Sequence, residues 1–149
     1  MAIAQTATTS FKVELLQGVH NFGPTSADTF YIALYTSAAG IGPTTTVYTS
    51  VGEVPNGNGY TTGGQALTID VSPTSGNNSL SVPTAYISFT NTSWASATFT
   101  ARGALIYNYT QGNKSVAVLD FGADKTVSND TFVINFPTPD ANSAIVRIS

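Results

Sequence analysis

The sequence predicts an all-β protein, an antiparallel β-sandwich of Greek-key or jelly-roll type with one amphipathic helix near the N-terminus. Three observations carry that expectation. After Asp28, β-branched and aromatic residues alternate with Thr and Ser over runs of about four to eight residues, the period of a pleated strand. Gly, Pro and Asn punctuate those runs as turn residues, and no second helical pattern interrupts them to suggest βαβ units. The 149 residues suit one domain, large enough to fold without a metal or a disulfide.

The first ten residues, MAIAQTATTS, are small and polar with no sustained period. Residues 1–9 are therefore expected as a flexible N-terminal arm whose removal leaves the fold intact, ahead of a single β-sandwich domain over residues 10–149. Phe11, Leu15, Val19 and Phe22 then recur at three- and four-residue spacing, widened by Leu16, which predicts a helix capped by Ser10 and stopped by Gly23-Pro24.

Thr29 to Thr36 sets Phe30, Ile32 and Leu34 on one face and Tyr31, Ala33 and Tyr35 on the other, so both faces need cover and the strand is expected in the middle of a sheet. A long polar connection follows, with a short strand allowed at Thr46 to Thr49 and a turn at Pro55-Asn56-Gly57-Asn58-Gly59. Leu67, Ile69 and Val71 alternate with polar residues as a half-buried strand closed by Gly76-Asn77-Asn78. Further strands are expected at Leu80–Val82, Ala85–Thr90, Ala97–Ala101, Ala104–Tyr109, Ser115–Phe121, Thr131–Phe136 and Ala144–Ile148. The runs around Gln111-Gly112-Asn113-Lys114 predict a hairpin that pairs Gln111 with Lys114, hence Tyr109 with Val116, Tyr107 with Val118 and Leu105 with Asp120.

Charge narrows the function. Five Lys and Arg stand against eight Asp and Glu, net −3, which leaves no basic patch for phosphates and argues against a nucleic-acid partner. No segment approaches the apolar length of a membrane helix, and the N-terminus lacks a secretion signal, so synthesis in a cytoplasm and no membrane partner are expected. Thr and Ser number 38, so neutral hydroxyls dominate the surface. Lys occurs only at 12, 114 and 125, which implies that sheet edges are covered by partners or kept short and polar.

Recognisable chemistry is sparse. Without cysteine there is no thiolate nucleophile or Cys-built zinc site, and one His, His20, cannot assemble a histidine metal site. His20 falls in the last turn of the expected helix, where the dipole favours its positive form, and is taken as structural. Gly112-Asn113-Lys114-Ser115 lacks the glycines of a phosphate-binding loop and suits a hairpin turn. Asp120, Asp124 and Asp130 lack calcium-loop spacing and suit solvated turns, and the five Asn-x-Ser/Thr triplets follow from composition. Two carboxylates from distant strands could still form a glycosidase pair. No catalytic, cofactor-binding or metal-binding residue is assigned, and no enzyme activity or cofactor is expected. The 16 aromatics, seven of them Tyr, suit oligomer interfaces or a carbohydrate-binding surface, the latter requiring an exposed aromatic row.

Three stretches together resemble small structural proteins of tailed-bacteriophage virions: SFKVELLQGVHNFG with DTFYIALYTS at 10–37, GEVPNGNGYTTGGQAL at 52–67, and ARGALIYNYTQGNKSVAVLDFGADKTV at 101–127. They cover over half the chain in order. The resemblance implies a capsid decoration, or cement, protein on the outer surface of the head, with the major capsid protein and copies of itself, as a homo-oligomer, for partners. A tail fibre or tail-tip domain contacting the host, and a carbohydrate-binding module, are the alternatives. Residues 1–10 and the loop from Ser37 to Gly59 are the expected contact segments, with Ala2, Ile3, Tyr48, Tyr107 and Tyr109 as candidate interface residues.

Overall fold

The computed structural model describes residues 2–149. Among them the chain forms β1 (Thr6–Ala7), α1 (Thr9–Leu16), β2 (Phe30–Tyr35), β3 (Gln65–Leu67), β4 (Ile69–Asn77), β5 (Pro83–Phe89), β6 (Thr92–Asn108), β7 (Lys114–Ile134) and β8 (Val146–Ile148). The strands make two antiparallel sheets, β1-β7-β6-β2-β3 and β4-β5-β8, in a sandwich-like arrangement. Two corners join the sheets: Thr68 separates β3 from β4, and Thr90-Asn91 separates β5 from β6.

Both faces of β2 are buried, as its alternation requires. Phe30, Ile32 and Leu34 enter the main core with Ile106 and Val116 of the same sheet and Ile87 and Phe89 of the other. Phe22 stacks on Phe30 at 4.3 Å between centroids, and Phe30 meets Phe89 at 5.8 Å. Tyr35 and Ala33 enter a second cluster with Leu105, Tyr107 and Val118, covered by Ile3, Ala39 and Ile41. The second face is thus closed by the chain's own arm and its long loop.

The helix is shorter than its apolar spacing predicts. Thr8, not Ser10, caps it and accepts the Phe11 N–H. It ends in a left-handed Gly18, φ +70°, with Gly18 N–H donating to Leu15 O and Val19 N–H to Glu14 O, the bond pattern of a Schellman terminus. Phe22 is still buried and Val19 half-buried, so the spacing named burial correctly at these two positions and helix extent wrongly. Nor is α1 amphipathic as expected: it buries Phe11 and Glu14 while Leu16 is 92% exposed.

Residues 2–8, expected as a flexible arm, lie along the domain instead. Thr6 and Ala7 pair with Val118 and Ala117 of β7, Ala4 N–H donates to Ile41 O, and Ile3 is buried over Gly103, where any Cβ would stand 2.9 Å from its Cδ1. The same Cβ would stand 2.4 Å from the Leu119 carbonyl oxygen, so glycine at 103 leaves room both for the strand pairing and for the Ile3 side chain. Ile3→Ala should cost about 2 kcal/mol and lower the melting temperature by roughly 5 °C, whereas a free arm would leave thermal unfolding unchanged.

The hairpin forms with a different register. Leu105 faces Val118 rather than Asp120, and Tyr107 faces Ser115 rather than Val118. Asn108 closes the ladder opposite Lys114, so the turn holds five residues, Tyr109 to Asn113, with Gly112 and Asn113 at φ +68° and +62°. Asn108 Oδ1 accepts the Gln111 N–H inside that turn. Val116 is left unpaired between the Ile106 and Tyr107 rungs, a bulge that turns it into the main core.

Other runs fuse or dissolve. Ala97–Ala101 and the run from Ala104 as far as Asn108 belong to the single strand β6, and Ser115–Phe121 and the run from Thr131 as far as Ile134 belong to β7. Leu80–Val82 is no strand but the turn between β4 and β5, because Asn78 Oδ1 accepts the Leu80 and Val82 N–H groups. Thr46–Thr49 contributes one bridge, Val47 to Lys114. The edges are managed by brevity, with β1, β3 and β8 at two or three residues, and β4 is broken in register on both sides of Val71, near Pro73.

Candidate functional site: a tyrosine row

Three candidate interface residues meet on one face of the five-stranded sheet, with a fourth residue between them. Tyr31 of β2 and Tyr107 of β6 are direct cross-strand partners, 5.9 Å apart at the ring centroids. Tyr109, just past β6, stacks on Tyr31 at 4.7 Å, and Tyr48 from the long loop stacks on Tyr107 at 4.8 Å. The row runs Tyr48, Tyr107, Tyr31, Tyr109. Tyr107 is buried, Tyr31 and Tyr48 are half-buried, and Tyr109 is 56% exposed. Ile3 packs in the cluster beneath the row and is not free to meet a partner, while Ala2 stays exposed. Tyr31 was legible as the outward partner of Ala33 and Tyr35, but its place in the row depends on the β2–β6 register.

Glu53 holds the loop in place, and the sequence did not single it out. Its Oε1 accepts from Tyr60 OH at 2.6 Å and Gly63 N–H at 2.7 Å, and its Oε2 accepts from Tyr48 OH at 2.6 Å. Tyr60 OH in turn accepts the Leu34 N–H, and Tyr107 OH donates to Gly63 O at 2.7 Å. Burial first, then the bond to Glu53, pushes the Tyr48 and Tyr60 hydroxyls well above the ordinary tyrosine value; burial and the charge of Glu53 do the same to Tyr107. These hydroxyls therefore remain donors at any physiological pH. The available signal was scarcity: the chain has two Glu, at 14 and 53, and both are buried.

The other Glu anchors a network behind the hairpin turn. Asn108 Nδ2 donates to Asp28 Oδ2 at 2.8 Å and to His20 Nδ1 at 3.0 Å, so His20 carries its hydrogen on Nε2 and donates it to Glu14 Oε2 at 3.0 Å. Lys114 Nζ donates to Glu14 Oε1 at 2.6 Å. His20 lies beyond the helix rather than in its last turn, and its ring meets Glu14 and Asn108 rather than the helix end. With both ring nitrogens engaged, it ties the connection before β2 to the hairpin.

Burial raises Glu14 and Asp28, but hydrogen bonds outweigh it: Lys114 and His20 hold Glu14 below its ordinary 4.5, and Asn108, Asn21 and Gln111 hold Asp28 below 3.8. Both folded values are depressed, so their stabilisation is complete above the unfolded values and is lost as pH falls below them through the folded ones. The urea midpoint should therefore fall steeply below about pH 4.5 and less steeply in Glu14→Gln; parallel curves for the two proteins would exclude Glu14 as a source of the slope.

No family model, curated protein or solved structure matches this chain.

Proposed function

We propose that the protein is a non-enzymatic structural component of a tailed-phage virion, a decoration protein bound to the outer surface of the head through the major capsid protein and copies of itself. The observation that carries this is spatial convergence. The stretches 10–37, 52–67 and 101–127, which carry the resemblance, supply α1, β2, β3, the Glu53 loop and the paired halves of β6 and β7 next to their hairpin turn, and so the middle of the five-stranded sheet and three of the four tyrosines of its row. Half-exposed tyrosines backed by a rigid sheet suit an interface, because they bury large area with little loss of side-chain freedom. The two corners between the sheets support a Greek-key or jelly-roll reading of the sandwich.

The same row favours one second reading, a carbohydrate-binding module, since sugars stack on exposed aromatic faces. Tyr109→Ser separates folding from binding. Retention on heads assembled without the chain should fall at least about tenfold with the melting temperature unchanged, as for an interface anchor. Undiminished retention would remove the row from the head contact, and binding to cell-surface polysaccharide but not to heads would favour the second reading.

A further inference from the structure

The sandwich is open along one side. There the five-stranded sheet ends in β1, two residues long, and the three-stranded sheet ends in β8, three residues long, so neither edge covers the apolar side chains behind it. Two clefts result, of about 460 and 630 Å³, and Ile145 lines both. Leu119, Phe121, Phe132 and Phe136 line the first; Phe11, Leu15, Val146 and Ile148 line the second. Leu16, at 92% exposure, and Ile148, at 58%, also face this side. Such side chains in open water forgo the stabilisation that burial would bring.

Charge is distributed unevenly here. Lys12, Lys125 and Arg147, three of the five cations in a chain of net −3, line the two clefts. The one side-chain carboxylate among the lining residues, Asp120, is already paired with Arg102. Arg147 donates one N–H to Asn142 O and retains others for a partner.

We propose that this side takes up an extended, carboxylate-bearing segment of a partner polypeptide, laid along the outer edge of β8 as a fourth strand of the three-stranded sheet. An edge strand offers a row of backbone donors and acceptors, which an added strand satisfies whatever its sequence, while alternate side chains enter the adjoining pockets. β1 shows such an addition at the neighbouring edge: Thr6 and Ala7 pair with β7, Ala4 and Thr8 add backbone bonds to Ile41 and Val116, and Ile3 is the apolar anchor. At β8 the pocket is mainly apolar and its side-chain charges are Lys12 and Arg147, so the incoming strand needs apolar residues facing the groove and carboxylates at its margin. This inference is independent of a virion location.

The test uses the intact chain and a blocked peptide of about eight alternating Val and Glu residues, N-methylated along one edge so that it cannot stack on itself. Amide NMR shifts should change at residues 145–149 and 9–16, and Lys12→Glu with Arg147→Glu should weaken binding at least about tenfold. A Val–Lys counterpart should bind at least about tenfold more weakly than Val–Glu. Shifts absent at millimolar peptide, equal binding of the Val–Lys peptide, or undiminished binding by the double variant would overturn the proposal. Sodium decanoate reproducing the same shifts at equal affinity would overturn it in favour of an anionic amphiphile. Concentration-dependent shifts at the same amides without peptide would overturn it in favour of a second copy.

Discussion

Gly64→Ala is expected to cost about 4 kcal/mol or more and to leave little folded protein at 37 °C. Gly64 sits at φ +73°, and a Cβ there would lie 1.8 Å from the Ile32 carbonyl oxygen and 2.8 Å from Ala33 Cα. The obstructing atoms belong to the backbone of β2, buried in the middle of the sheet, so nothing nearby can turn aside. The chain must either give up the β2–β3 ladder, in which Ile32 faces Gln65, or displace the strand on which both cores rest. Gly112→Ala is the control: its φ of +68° is equally unfavourable, but its Cβ would meet nothing within 4 Å. It should cost only about 1 kcal/mol, the conformational term alone. Equal losses in the two variants, by urea unfolding, would show that close approach at residue 64 is not what matters.

Glu53→Ala should be the next most damaging change, at about 3 to 5 kcal/mol, because it strands partners rather than merely removing a contact. Tyr60 OH, Tyr48 OH and Gly63 N–H lose their acceptor together, and Tyr60 is 3% exposed, so water cannot replace the carboxylate without opening the loop. Glu53→Gln keeps an oxygen for Tyr60 and Gly63, while the Tyr48 hydroxyl can rotate to accept from the new amide. About 1 kcal/mol is expected for it. If the glutamine variant proved as unstable as the alanine variant, the negative charge itself would be essential rather than the hydrogen bonds. Loosening this loop should also shift the NMR signals of Tyr107 and Tyr31, since Tyr48 stacks on the first and the first packs on the second.

What could be read from the sequence divides along a physical line. The two faces of Phe30 to Tyr35 were legible because strand alternation is local and both clusters use the faces it names. The helix end was written at Gly18 but masked, since Val19 and Phe22 continue the helical spacing although they reach the core from irregular backbone. The hairpin turn was visible at Gly112-Asn113, yet its register was not: Asn108 drawing the Gln111 N–H into a five-residue turn, and Val116 bulging out, are choices made by packing. Long-range pairs were the least accessible. Ile3 needs the absent side chain of Gly103, far away in the chain, and the partners of Glu53, though all within residues 48–63, fall at no strand or helix period that would bring them to one carboxylate. The tyrosine row is intermediate: Tyr48, Tyr107 and Tyr109 could be named, but the strand register decides that they form a line and that Tyr31 belongs between them.

If the domain is, as proposed, a fixed part of a phage head, a density map of the intact particle will show it most directly. Many copies of a sandwich with one five-stranded and one three-stranded sheet are expected on the outside of the capsid shell, with Tyr109 at a contact to the shell or to a neighbouring copy. Density for the domain on the tail, or none on the particle, would contradict the proposal.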